Sequence, residues 1–103
     1  MAKVDVRLYG TWDDKMNDGI LEFLPPDVEG YAGIVHNKER ANKDRLIESS
    51  EWYVRDGAEG SIIEFKYEDG IKTSFRYQFA DAYKSVRFFE ENGDLQSVLI
   101  KLK

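Results

Sequence analysis

The sequence predicts an all-β protein, a small antiparallel up-and-down barrel of about seven to eight strands. Two observations carry most of that expectation. Ile71, Thr73, Phe75, Tyr77 and Phe79 alternate with Lys72, Ser74, Arg76 and Gln78, the period-two signature of a strand with one buried face. Turn dipeptides at Asp56-Gly57, Asp69-Gly70 and Asn92-Gly93 then divide the C-terminal half into a four-strand meander.

Taken in order, the first strand is expected over Asp5 to Asp13, where Val4, Val6, Leu8 and Trp12 share one parity around Gly10. A polar turn, Asp14 to Asp18, leads to a second strand at Gly19 to Leu24. Pro25-Pro26 ends it, because proline cannot donate to a ladder. Tyr31 to His36 is expected as the third. Asn37 to Glu48 lacks alternation and is compatible with a short helical turn or two near 38–47, with Leu46 and Ile47 returning the chain to the core. Glu51 to Arg55 follows as a strand presenting Trp52 and Val54 on one side. Ile63, Phe65 and Tyr67 then pair through Glu68-Asp69-Gly70 with the run beginning at Ile71. The last hairpin joins Ser85–Glu90 to Leu95–Leu102 through Glu91-Asn92-Gly93-Asp94. Closing such a meander into a barrel removes the edges that an open sheet would expose.

The chain is expected to fold as one domain over residues 1–103, since no linker, repeat or low-complexity segment interrupts it. A domain of this length buries roughly two-thirds of its unfolded surface. No window is apolar enough for a membrane helix, and no signal-peptide core opens the chain, so a cytoplasmic protein is expected without membrane contact. Cysteine is absent, which removes disulfides, thiolate nucleophiles and zinc-cysteine sites. A formal charge of −5 disfavours nucleic acid. Lys38, Arg40, Lys43 and Arg45 are interleaved with Glu39 and Asp44, as in a solvated segment.

Candidate chemistry is sparse. His36 is the sole histidine, which excludes a histidine-pair metal site. A triad from Ser50, His36 and a carboxylate would lack a nucleophile elbow. The run Asp14, Asn17, Asp18, Gly19 crowds oxygen ligands before a glycine, but no glutamate closes a calcium loop at the right distance. The carboxylate couples Asp13-Asp14, Glu68-Asp69 and Glu90-Glu91 border turns, and adjacent strand residues point to opposite faces. No metal, cofactor or catalytic group is therefore expected, and the protein reads as a non-enzyme.

Gly10-Thr11-Trp12 resembles the Gly-X-Trp signature of the calycin superfamily, which includes lipocalins, avidins and fatty-acid-binding proteins. The strand Ile20 to Phe23, the Trp52 strand and the two C-terminal hairpins are similar in spacing to small bacterial lipocalin-like domains. The resemblance implies a barrel closed at one end by Gly10 and Trp12, with a basic side chain, Lys101 or Lys103, covering the indole. It also implies a non-catalytic domain that holds a small apolar or aromatic ligand. The aromatic residues expected to line such a ligand are Trp52, Phe65, Tyr67, Phe75 and Tyr77. The alternative is an acidic interaction or inhibitor module with a filled core, facing a basic protein partner. An open cavity of roughly 300 Å³ or more separates the first from the second.

Overall fold

In the computed structural model, which describes residues 2–103, eight antiparallel strands follow one another around a closed barrel. They are β1 (Gly10–Asp14), β2 (Gly19–Leu24), β3 (Gly33–Lys38), β4 (Leu46–Gly57), β5 (Gly60–Lys66), β6 (Lys72–Ala80), β7 (Ser85–Phe89) and β8 (Leu95–Lys101). Each pairs with its neighbour in sequence, and β8 returns to β1 through Trp12↔Lys101, Asp13↔Ile100 and Asp14↔Leu99. The up-and-down topology expected from the meander is the one observed.

The two C-terminal hairpins form where the dipeptides place them. Gly70 and Gly93 take φ of +88° and +93°. Their N–H groups donate to Tyr67 O and Glu90 O at 2.9 and 2.8 Å. At the third signal the turn lies further on. β4 runs through Asp56-Gly57, Gly57 pairs with Gly60, and Gly60 takes the positive φ of +135°.

Two expected elements differ. The segment expected as the start of the first strand is broken by a 3-10 turn at Val6–Leu8. The Asp5 carboxylate accepts from the Arg7 N–H and turns the chain there, an alternative to ladder pairing that short acidic side chains offer. As a result Val6 is 67% exposed while Leu8 is fully buried, so their shared parity does not mark a shared face. No helix occupies 38–47 either. β3 continues to Lys38, residues 39–45 form a loop, and β4 begins at Leu46. Leu46 and Ile47 are exposed instead of returning to the core.

The interior is packed around Leu8, Trp12, Phe23, Trp52, Ile63, Val86 and Leu99. The β6–β7 connection passes through three consecutive left-handed residues, Asp81, Ala82 and Tyr83, with φ of 54°, 56° and 67°. Non-glycine residues reach that region at a cost of roughly 1–2 kcal/mol each. The Tyr83 ring packs edge-on against Phe79 at 5.2 Å, and the Arg7 guanidinium lies over both rings.

Candidate binding site at the open end of the barrel

The barrel has two unlike ends. At the Gly10 end, Trp12 and Trp52 are both 0% exposed. Each indole N–H donates to a backbone carbonyl, Leu8 O at 2.9 Å and Leu24 O at 3.1 Å, so neither buried polar group is left unpaired. Lys101 lies directly across the ladder from Trp12. Its ammonium sits 4.7 Å from the Trp12 ring centroid and donates to Tyr9 O. Burial pushes its pKa below the ordinary lysine value. Of the two lysines that the resemblance left open, Lys101 is thus the one over the indole. Gly10 is required on the same grounds. Its φ is +118°, and a β-carbon there would run into the carbonyl of Lys103 and the Lys101 side chain.

A second polar group tightens this end. The Asp5 carboxylate takes a bidentate contact from Arg7 at 2.9 and 2.7 Å and a hydrogen bond from the Tyr77 hydroxyl at 2.9 Å. Burial raises the Asp5 pKa, and the bonds from Arg7 and Tyr77 outweigh it, so the net shift is downward. The Tyr77 hydroxyl is shifted upward, by burial first and by Asp5 second.

At the opposite end the inward positions are not filled. A cavity of about 260 Å³ opens between the strand ends, floored by Phe65, Phe75 and Phe88 and walled by Leu21, Val35 and Tyr67. Phe75 and Phe88 stack in parallel, 6.1 Å apart and 6° from coplanar, and Phe65 meets both at a tilt. The rim is polar. Asp14 Oδ1 accepts from the N–H groups of Met16 and Asn17, and its Oδ2 accepts from Asn17 Nδ2 at 2.9 Å. The same amide reaches Ser97 Oγ at 3.2 Å, tying the β1–β2 turn to β8. Asn37, Glu48 and Ser50 complete the rim, and Asn37 Oδ1 is buried without a hydrogen-bond partner. No basic side chain lines the cavity among the described residues.

Phe65, Tyr67 and Phe75, expected to line a ligand, reach this cavity. Trp52 and Tyr77 do not, and belong to the packed half. The polar rim residues had no sequence signal. They lie on strand ends where no hydrophobic alternation exists to read.

The remaining candidates resolve locally. His36 Nδ1 lies 2.7 Å from Ser49 Oγ, its cross-strand partner, while Ser50 lines the cavity, so His36 and Ser50 do not meet. The Asp14–Gly19 run is a turn closed by its own backbone N–H groups, and no cluster of three metal-ligating side chains occurs among the described residues. The basic segment is largely neutralised. Arg40 spans Asp13 at 2.7 Å and Asp18 at 2.8 Å, Arg45 pairs with Glu39, and Lys38 with Glu22. Arg40 also donates to Asn17 O at 3.2 Å, pinning the 39–45 loop onto the β1–β2 turn at the rim.

Comparison with family models, curated proteins and solved structures finds no match for this chain. The architecture, an eight-strand closed antiparallel barrel, is compatible with a lipocalin-like fold.

Proposed function

We propose that this protein is a non-catalytic, lipocalin-like binding domain that takes a small aromatic or apolar ligand at the open end of the barrel. The observation that carries the reading is the unfilled cavity of about 260 Å³ above stacked phenylalanines. That volume exceeds the roughly 150 Å³ that admits a benzene ring and falls just short of the roughly 300 Å³ at which drug-sized pockets begin. The ligand is therefore of one- or two-ring size. The rim selects further. Asp14 and Glu48 contribute negative charge and no cation answers a carboxylate, so a neutral or cationic ligand is favoured over a fatty acid. The Gly10, Trp12 and Lys101 arrangement at the far end supports a calycin-type barrel.

Titration of isotope-labelled protein with indole, benzylamine and decanoate, followed by NMR, tests this. Indole and benzylamine should move the amides of Leu21, Phe75 and Ser97, and decanoate should not. Ser50→Leu, which places apolar atoms in the cavity, should abolish those shifts and leave the fold intact. Silence of all three amides up to the solubility limit of each compound would refute the reading.

The acidic interaction module is supported by the packed lower half of the core. Association with a basic partner would weaken steeply with salt, whereas apolar burial in the cavity would not.

A further inference from the structure

A broad depression lies outside the barrel. About 830 Å³ in volume, it runs between the β2–β3 connection and the outer face of β4 to β6. One wall is a turn. Tyr31 N–H donates to Val28 O at 3.1 Å, and Gly30 takes φ of +86°, the geometry of a tight turn with glycine at its third position. Ala2 N–H donates to Gly30 O and Val54 N–H to Lys3 O, so the N-terminal segment ties this turn to β4 just beyond the first residue of β3. On that fixed turn Val28 and Tyr31 stand 56% and 68% exposed. Large apolar side chains held rigidly in water at the lip of a groove are the usual anchors of an interface.

The floor is cationic. Four basic and two acidic side chains line the groove of a chain whose total charge is −5. Lys66 and Lys72 are direct cross-strand partners, a like-charge juxtaposition that destabilises a sheet. Among the described residues neither lysine enters an ion pair, nor does Arg55. Lysines often guard exposed strand edges, but Lys66 is paired on both sides, to Glu51 of β4 and to Lys72 of β6, and has no edge to guard. Lys66 and Glu51 close no ion pair, so the lysines keep their charge free for a partner.

We propose that this groove docks an acidic segment of another protein, with its carboxylates over Lys66, Lys72 and Arg55 and an apolar side chain against Val28 and Tyr31. Charge complementarity fixes the sign of the partner. The strong negative charge of the rest of the molecule limits it to a short acidic segment, since a long polyanion would meet that field.

Fluorescence anisotropy with a short labelled peptide of alternating glutamate and phenylalanine tests this, with the lysine-phenylalanine peptide as control. The glutamate peptide should bind, weaken as salt rises, and lose roughly tenfold or more in affinity to the Lys66→Glu/Lys72→Glu variant, because rim charges of like sign then oppose each other. Tyr31→Ala should weaken it independently of salt. These positions are on the exposed surface, and an unchanged unfolding midpoint confirms that the variants fold. Equal binding of both peptides, indifference to the charge reversal, or NMR shifts at Phe75 and Ser97 instead of Tyr31 and Lys66 would overturn the assignment. So would association with phosphatidylserine vesicles in the absence of peptide binding. Self-association of the parent that disappears in the double variant would also overturn it, by assigning the groove to a second copy of this chain.

Discussion

At the closed end of the barrel Trp12 and Trp52 exclude water completely, and their N–H groups are satisfied by Leu8 O and Leu24 O. At the mouth, Leu21 and Phe75 remain partly exposed around a hollow, and a buried Asn37 oxygen has no partner. The same eight strands build both ends, so the difference lies in the side chains alone. Large indoles with nearby carbonyls fill one half, whereas serines, an asparagine and a glutamate ring the phenylalanines of the other without covering them. Stability is thereby concentrated below the mouth, and the mouth is left partly hollow.

Truncation should expose that asymmetry most strongly. Trp12→Ala is expected to cost about 3–5 kcal/mol, the range of large aromatic deletions from a packed core. Phe75→Ala, which only enlarges a space already open, should cost less than half as much. Urea unfolding midpoints compare the two, and equal losses would mean that the ends are packed alike.

Backbone strain gives the next contrast. Gly10 and Gly70 both have positive φ, but a β-carbon at Gly70 meets nothing within 4 Å, whereas one at Gly10 strikes the C-terminal chain. Gly70→Ala should cost about 1 kcal/mol for conformation alone. Gly10→Ala should exceed it by at least about 1 kcal/mol, because Lys103 and Lys101 must move as well. Thermal denaturation of the pair would measure the difference.

Removing the charge above Trp12 should have a smaller effect. Lys101→Met retains the stem but loses the contact with the ring and the bond to Tyr9 O, an expected loss of about 1–2 kcal/mol. A variant as stable as the parent in urea would show that the lysine only covers the indole sterically.

The smallest and most condition-dependent effect is at Asp5. Its folded pKa is lowered, so its stabilising contribution is complete above the ordinary carboxylate value and is lost as pH falls through the folded value. Asp5→Asn should therefore be less stable than the parent at neutral pH, with the gap closing in acid. Midpoints measured across the acid range would show the convergence, and a gap independent of pH would assign the effect to geometry alone.

The contrast between the ends also explains what the sequence discloses. Strands read clearly where alternate apolar residues face the barrel interior, as at Phe75 and Tyr77 on β6 or Trp52 and Val54 on β4. β4 begins six residues before Trp52, at Leu46, but Glu48, Ser49 and Ser50 face the mouth or solvent, so no apolar alternation announces it. The polar rim leaves no hydrophobic trace on that stretch, whereas the aromatic floor of the same cavity, Phe65 and Phe75, keeps the alternation of β5 and β6 legible. The break before Gly10 escaped for another reason. Val6 and Leu8 carry the right spacing, but Asp5 and Arg7 hydrogen-bond locally and curl the chain, which periodicity alone does not weigh. The left-handed run at Asp81–Tyr83 has neither glycine nor asparagine to signal it.

The seam between β1 and β8 has a consequence for how the molecule is made. Every other strand pair joins neighbours along the chain, but the Lys101 contact with Tyr9 bridges 92 residues. Local hairpins can form early, while the seam must wait until nearly the whole chain has been synthesised and the loop entropy of bringing its ends together has been overcome. Until then the sheet has two raw flanks, β1 and β8, that can pair with another molecule as readily as with each other. Refolding yield should accordingly fall as protein concentration rises, with the seam as the step at which chains are lost.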